Sequence, residues 1–364
     1  PLFRCQYMGA DNCGLTISFA SLTITGADAV FSCPQLQEPV MTITTQENGH
    51  VRLESIIFAD STSGALSINS KTNVDLASVR FERNVALGAS AINVTSPEAK
   101  IHATACVFSE NQAEIEDGGA VRLRGKGHQF TNCTFISNKG TSNVSSGGAV
   151  ETLGVMNTLF HNCSFIDNYA DEGGAVYMDS ESGNNNFTQC VFIDNNCNTA
   201  AGAVDVYGKG GNIFKDCTFE NNWSSDGAGG ALAIASANNM IDNCLFSENH
   251  IDSGIDNPSL GGGAIWISTH SNHTTIKNSH FHANKAGLGG AIFMSAEIGF
   301  MLTDTTFHDH EANTAGALHI ANSGESILTN VEFHSNSAVD AGGALSIRGE
   351  DAILTLKDSL FNTT

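Results

Sequence analysis

The sequence predicts an all-β chain, a right-handed parallel β-helix of about 12–14 stacked coils. Three observations carry that prediction. A Phe followed three residues later by Asn recurs along the chain. A Gly-Gly-Ala followed by an aliphatic residue alternates with it. Around both motifs, apolar and polar residues alternate with the period of two that marks a strand buried on one face.

The Phe motif stands at Phe81/Asn84, Phe108/Asn111, Phe135/Asn138, Phe165/Asn168, Phe192/Asn195, Phe219/Asn222, Phe246/Asn249, Phe281/Asn284 and Phe333/Asn336. Degenerate copies lie at Phe58, at Phe307, where His310 takes the place of Asn, and at Phe361. The commonest step is 27 residues, as from Phe81 to Phe108 to Phe135. Between these sites stand Gly118-Gly119-Ala120-Val121, Gly147-Gly148-Ala149-Val150, Gly173-Gly174-Ala175-Val176 and further copies from Gly229, Gly262, Gly289 and Gly342. A unit of that length holds two or three short strands with their turns. Near-equal units that stack must pair in parallel, about 4.8 Å apart, so each position becomes a column. The Phe column is the expected core, each buried ring contributing roughly 1.5–3 kcal/mol. The Asn turns inward at a bend and bonds the Asn of the neighbouring coil. Gly-Gly supplies a left-handed or tight corner, and Ala fits where coil walls approach. The right hand follows from the strong preference of parallel crossovers.

Residues 1–50 lack both motifs but still alternate, as in Leu22-Thr23-Ile24, and are read as irregular coils or a cap. Residues 51–364 form the repeat helix. Its last residues stop within a repeat at Phe361, where the expectation is continuation of the chain or docking on another subunit.

Composition narrows the function. The formal charge is −22, from 16 basic and 38 acidic residues, which argues against nucleic acid and anionic membranes as partners. It is compatible with calcium, with basic partners, or simply with solubility. No stretch reaches the roughly 18 apolar residues of a membrane-spanning helix, so direct membrane insertion by this segment is not expected. Hydrophobic residues make up 41% and recur regularly, which excludes a disordered chain.

The alternating Gly-Gly-Ala-aliphatic and Phe-x-x-Asn motifs, over roughly residues 58–364, resemble the repeats of the polymorphic outer membrane proteins, the autotransporter-type surface proteins of chlamydiae. That resemblance implies a right-handed β-helix passenger, extracellular display and an adhesive role.

Six cysteines, Cys106, Cys133, Cys163, Cys190, Cys217 and Cys244, precede the Phe of consecutive coils by two residues and should face inward as a thiol column. Cys197 lies in a turn, either free or reaching Cys190. Cys5, Cys13 and Cys33 are disulfide candidates in an extracellular protein. Glycosylation acceptors are Asn143, Asn132, Asn162, Asn93, Asn186 and Asn272; Asn222 also matches but belongs to the Asn column.

Outward columns are the remaining candidates. Ile136, Ile166 and Ile193 form an apolar strip suited to self-association or a partner. His282, His308 and His334 form a column of rings about 4.8 Å apart. It is the nearest approach to a metal site in a chain otherwise assigned none. No catalytic residues are assigned. Acidic turns at Glu114/Glu116/Asp117, Asp171/Glu172 and Asp304/Asp309/Glu311 fall in different coils, and the basic Arg122-Leu123-Arg124-Gly125-Lys126 is read as local and unpartnered. The reading is a non-enzymatic extracellular or surface β-helix acting in adhesion or as a fibre subunit, with itself or a host or cell-surface receptor as partner. The alternative is a polysaccharide lyase or hydrolase, with Asp171 and Glu172 as its acids.

Overall fold

Gly147 shows how one corner is made: its φ of 69° is open to glycine, and the chain turns there into the strand Val150–Met156. The same left-handed corner recurs at Gly64, Gly118, Gly173, Gly229, Gly262, Gly289 and Gly342, and the chain winds as a right-handed parallel β-solenoid of about 12 turns. The computed structural model describes residues 14–18, 21–34, 37–44, 49–115, 118–252, 261–295, 299–321, 324–350 and 352–362. Among these residues all regular structure is strand, in three parallel sheets of 13, 22 and 10 strands. The first holds the strand after each Gly-Gly-Ala and is called here the Gly-Gly-Ala sheet. The Phe sheet contributes two strands per coil and the short Asn sheet one. Leu15–Ile17 and Ser21–Phe31 already pair in parallel with Met41–Ile43 and Gly49–Ala59, so the described part of the N-terminal segment carries coils of the same sheets.

The Phe column forms as read. Phe81, Phe108, Phe135, Phe165, Phe192, Phe219, Phe246, Phe281, Phe307 and Phe333 are buried, with neighbouring rings 4.5–5.0 Å apart, as for Phe108–Phe135 and Phe81–Phe108. A second column lies one strand earlier: Phe130, Phe160, Phe187 and Phe214, with ring spacings of 5.1, 4.8 and 5.1 Å. Its rings tilt against those of the first column, Phe130 lying 6.0 Å from Phe135 at 56°. Offset stacking along the axis and tilted contacts across it are the arrangements aromatic quadrupoles favour.

Corners rest on left-handed residues. Glu110, Ser137, Asp167, Asp194 and Asn221, one before each ladder Asn, have φ of 50–56°. Ala105, Asn132, Asn162, Gln189 and Asp216 repeat this before the inward Cys position, at 50–55°. Such angles are uncommon outside glycine and favour Asn and Asp. The coil imposes them even on Ala, Glu and Gln.

The bend freed of regular pairing by these corners is satisfied by the Asn amides. Asn111 Nδ2 donates to Phe81 O of the preceding coil at 2.9 Å and to Asn138 Oδ1 of the following coil at 3.0 Å, and its backbone N–H donates to the same Oδ1 at 3.1 Å. The pattern continues through Asn138, Asn168, Asn195, Asn222 and Asn249 to Asn284. A second ladder, Asn185–Asn212–Asn239, serves the other bend. Each inward thiol likewise donates to a carbonyl of the coil before, as Cys190 Sγ to Phe160 O at 3.3 Å. Cys106, Cys133, Cys163, Cys190, Cys197, Cys217 and Cys244 are free and buried. Cys197 donates to Ser224 Oγ at 3.3 Å and does not join Cys190. Burial pushes the Cys190 thiol up and that of Cys197 to about 12, so these thiols are poor nucleophiles.

At His310 the ladder changes chemistry. Its Nδ1 accepts from the Asn284 N–H at 2.9 Å, while the buried Nε2 has no hydrogen-bond partner among the described residues. Burial lowers its pKa to about 3 from 6.5. The folded state refuses a proton that the unfolded state takes up, so stability is fully present above about 6.5 and is lost as pH falls toward 3. We expect His310→Asn to restore both amide bonds, adding about 1 kcal/mol at pH 7 and reducing the loss between pH 6.5 and 4. Urea unfolding at the two pH values measures this. Buried His128, lowered to about 4 by burial, should leave a smaller acid sensitivity in the variant.

Candidate functional site

The strand after each Gly-Gly-Ala points one residue in two outward. Register places one such residue per coil in a single column: Asn93, Arg122, Glu151, Tyr177, Asp205, Ala233, Trp266, Phe293, His319 and Ser346. Outward residues of a β-helix are normally solvated. Here Glu151 and Asp205 are 1% exposed, Ala233 is 3% and His319 is 2%, because the loops leading into the Gly-Gly corners lie along one side. A Cβ on Gly118 would stand 3.3 Å from the Cβ atoms of both Arg122 and Glu151, and one on Gly173 would stand 3.3 Å from the Asp205 Cβ. The column is thus the floor of a walled furrow.

Its chemistry changes along the axis. Arg122 Nε donates to Glu151 Oε2 at 2.5 Å, an ion pair 12% and 2% exposed, which corrects the reading of the basic cluster as unpartnered. Next stand Tyr177 and Asp205, with Tyr207 beside them; the two tyrosine rings are 6.0 Å apart at 47°. Asp205 Oδ2 is buried with no hydrogen bond among the described residues. Burial, and then the charge of Glu172, raise the Asp205 pKa well above the carboxylate range. Burial of a carboxyl disfavours its charged form. The Asp205 charge is in turn the main cause raising Tyr207 to about 12. Beyond the small Ala233 the floor becomes aromatic, with Trp266 and Phe293, and the Phe293 ring stacks on His319 at 5.4 Å and 5°. Burial lowers His319 to about 4, and its Nδ1 is unpartnered among the described residues.

The sequence-level candidates distribute around this floor. Of the acidic pair, Asp171 builds the wall, its Oδ1 accepting from Asn198 Nδ2 at 3.0 Å, while only Glu172 acts on Asp205. Asn93 lies in the floor column and is half-buried. Asn143 is exposed in a turn beside Val144, which is 73% exposed. Asn132 and Asn162 are exposed and joined, Asn162 Nδ2 donating to Asn132 Oδ1 at 2.8 Å. Asn186 is half-buried, its Oδ1 accepting from Thr188 Oγ1, and Asn272 is half-buried. Asn222 is wholly buried in the ladder.

Ile136, Ile166 and Ile193 are in register and half-buried, bounded by Ser109 and Glu220 in the same column, so the strip spans three coils. His282, His308 and His334 also align, but their rings are 6.0 and 5.8 Å apart and tilted by 35° and 28°, wider than the backbone spacing expected for them. Cys33 is disulfide-bonded. Cys5 and Cys13 lie outside the described residues, as do Glu116, Asp117 and most of the insertion 252–260. Among the described residues no helix is long and apolar enough to cross a membrane.

A family model described as right handed beta helix region matches residues 196–312. No curated protein matches the chain. Among solved structures it is similar to a rhamnogalacturonan lyase, at 12% identity and a TM-score of 0.36, over 93% of this chain and 79% of that one. It is also similar to a mannuronic acid specific polysaccharide family 6 lyase from human gut microbiota, at 12% identity and 0.33, over 90% and 77%.

Proposed function

We propose that this chain is an extracellular or surface-displayed β-helix that works by adhesion, holding an extended glycan along the floor of the Gly-Gly-Ala sheet. One observation carries the reading: an outward column that should be solvated is instead partly covered, and its accessible members include the half-buried aromatics Tyr177, Trp266 and Phe293. Half-buried aromatic faces and the tyrosine hydroxyls suit sugar rings, which carry apolar faces and hydroxyl edges. The disulfide at Cys33 and the exposed acceptor Asn143 agree with an oxidising, extracellular setting. The reading groups the chain with the passengers of the polymorphic outer membrane proteins, whose motif alternation it shares, and makes the partner a glycan on a host or cell surface. A fibre built through the Ile strip is the weaker version, since that strip is narrow and half-covered.

A second reading has its own observation. Asp205, whose pKa burial and then the charge of Glu172 raise, has the make-up of a general acid with a second carboxylate. It favours glycoside hydrolysis over lyase chemistry, because among the described floor residues the Arg122 guanidinium, which could hold a uronate, is already paired with Glu151.

A glycan array probed with the wild type and with Tyr177→Ala/Trp266→Ala decides between them. Adhesion predicts binding that falls at least tenfold in the double variant, with no release of shorter oligosaccharides. Hydrolysis predicts release that Asp205→Asn abolishes. Absence of any glycan binding by the wild type overturns the glycan reading.

A further inference from the structure

We propose that His282, His308 and Asp309 form a site for a divalent transition-metal ion of the zinc class, on the face opposite the Phe core and separate from the floor. His282 and His308 are the outward residues directly after the core Phe in adjacent coils, and they pair in register. Asp309 follows at a left-handed corner with φ of 58°, which turns its carboxylate back across both rings. Asp309 Oδ2 is 2.7 Å from His308 Nδ1 and 3.7 Å from His282 Nε2. One donor atom from each of the three residues lies within 4.8 Å of the others.

Zinc bonds of about 2.0–2.1 Å in tetrahedral geometry set ligand atoms roughly 3.4 Å apart. The observed separations bracket that value, and all three side chains are exposed, so shifts below about 1 Å complete the geometry without moving the backbone. Two imidazoles and one carboxylate select zinc, copper or nickel over calcium and magnesium, which prefer all-oxygen sites. The carboxylate supplies one negative charge to the ion, and the chain's net −22 raises the local concentration of cations. Three protein donors leave a fourth position. Water fills it, or His334 does: its ring stands 5.8 Å from His308 and its Nε2 now bonds Glu332 Oε2 at 3.0 Å. The ligands come from two coils, so a bound ion ties adjacent turns together.

The imidazoles must be neutral to bind, so protons compete and affinity falls in acid. Neighbouring charges at this face are Glu332, Lys285 and Glu311, of which the last two pair with each other at 3.1 Å, and His280, which bonds Thr306.

Calorimetric titration of the intact chain with zinc chloride at pH 7.5 tests the assignment, with calcium chloride as the comparison. The expected result is one zinc site tighter than about 100 µM, no comparable calcium heat, and at least a tenfold loss in His282→Ala/His308→Ala. Circular dichroism should show that double variant folded, because neither ring contributes to the core. Zinc binding of equal strength in the double variant, calcium binding as tight as zinc, or no zinc binding by the wild type each overturns the site.

Discussion

Gly174→Ala should cost above about 4 kcal/mol. A Cβ at that position would stand 2.2 Å from Gly202 O and 2.3 Å from Asn196 O, both backbone atoms of the next coil. Neither can retreat. Gly174 N–H bonds Ala201 O at 3.1 Å, and Gly202 N–H in turn bonds Gly230 O at 3.0 Å. Relief would require opening the rung, not rotating a side chain. A matched control exists at the same motif position in an outer coil. A Cβ on Gly343 meets only Asn336 O, at 3.3 Å, so Gly343→Ala should cost under about 1 kcal/mol. Urea unfolding followed by circular dichroism separates the two, and equal effects would refute the role assigned to close coil approach.

Asn168→Ala is expected to cost roughly 3–5 kcal/mol. The amide makes four buried bonds: it donates to Phe135 O at 3.0 Å and to Asn195 Oδ1 at 2.9 Å, and it accepts from the backbone N–H and the Nδ2 of Asn138, each at 3.0 Å. Removing it leaves a carbonyl on one side and an N–H on the other unpaired, with no room shown for compensation. Neighbours should suffer too, since Asn138 loses the partner of its own amide. The double variant Asn138→Ala/Asn168→Ala should therefore be less than additive, as contacting residues in one network are. A loss below about 1 kcal/mol for Asn168→Ala would mean that the sheets, not the ladder, hold the corners.

The inward half of this protein was legible because packing repeats itself. Phe, Asn, Cys and Gly-Gly recur since each faces the same neighbours in every coil. Two inward features still escaped. The second Phe column runs through only four coils before Ile241, Ile276, Leu302 and Leu328 replace it. The second Asn ladder, Asn185–Asn212–Asn239, keeps the 27-residue step but spans only three coils, too few to stand out among the many other Asn. The floor was hidden for the opposite reason. Its position, two residues after the motif Ala, was computable, yet it holds Arg, Glu, Tyr, Asp, Ala, Trp, Phe and His in turn, and periodicity registers only sameness. Nor does local sequence reveal that an outward column is covered, which is why Asp205 and Glu151 drew no attention and Asp171 did. The His column was visible as an alignment. What only structure supplied was the left-handed corner that brings Asp309 between two rings.

The ladders have a mechanical side. Backbone bonds of three sheets and the Asn amides all run along the axis. Tension along the rod therefore strains every bond of a rung simultaneously, whereas a sideways pull would peel them one at a time. Rupture under axial load becomes an all-or-none parting between two coils, and it begins at the poorest rung. His310, whose ring makes one ladder bond where asparagine makes more, marks such a rung. A molecule that grips a surface through the furrow would carry shear through its strongest rungs and yield first near this substituted one.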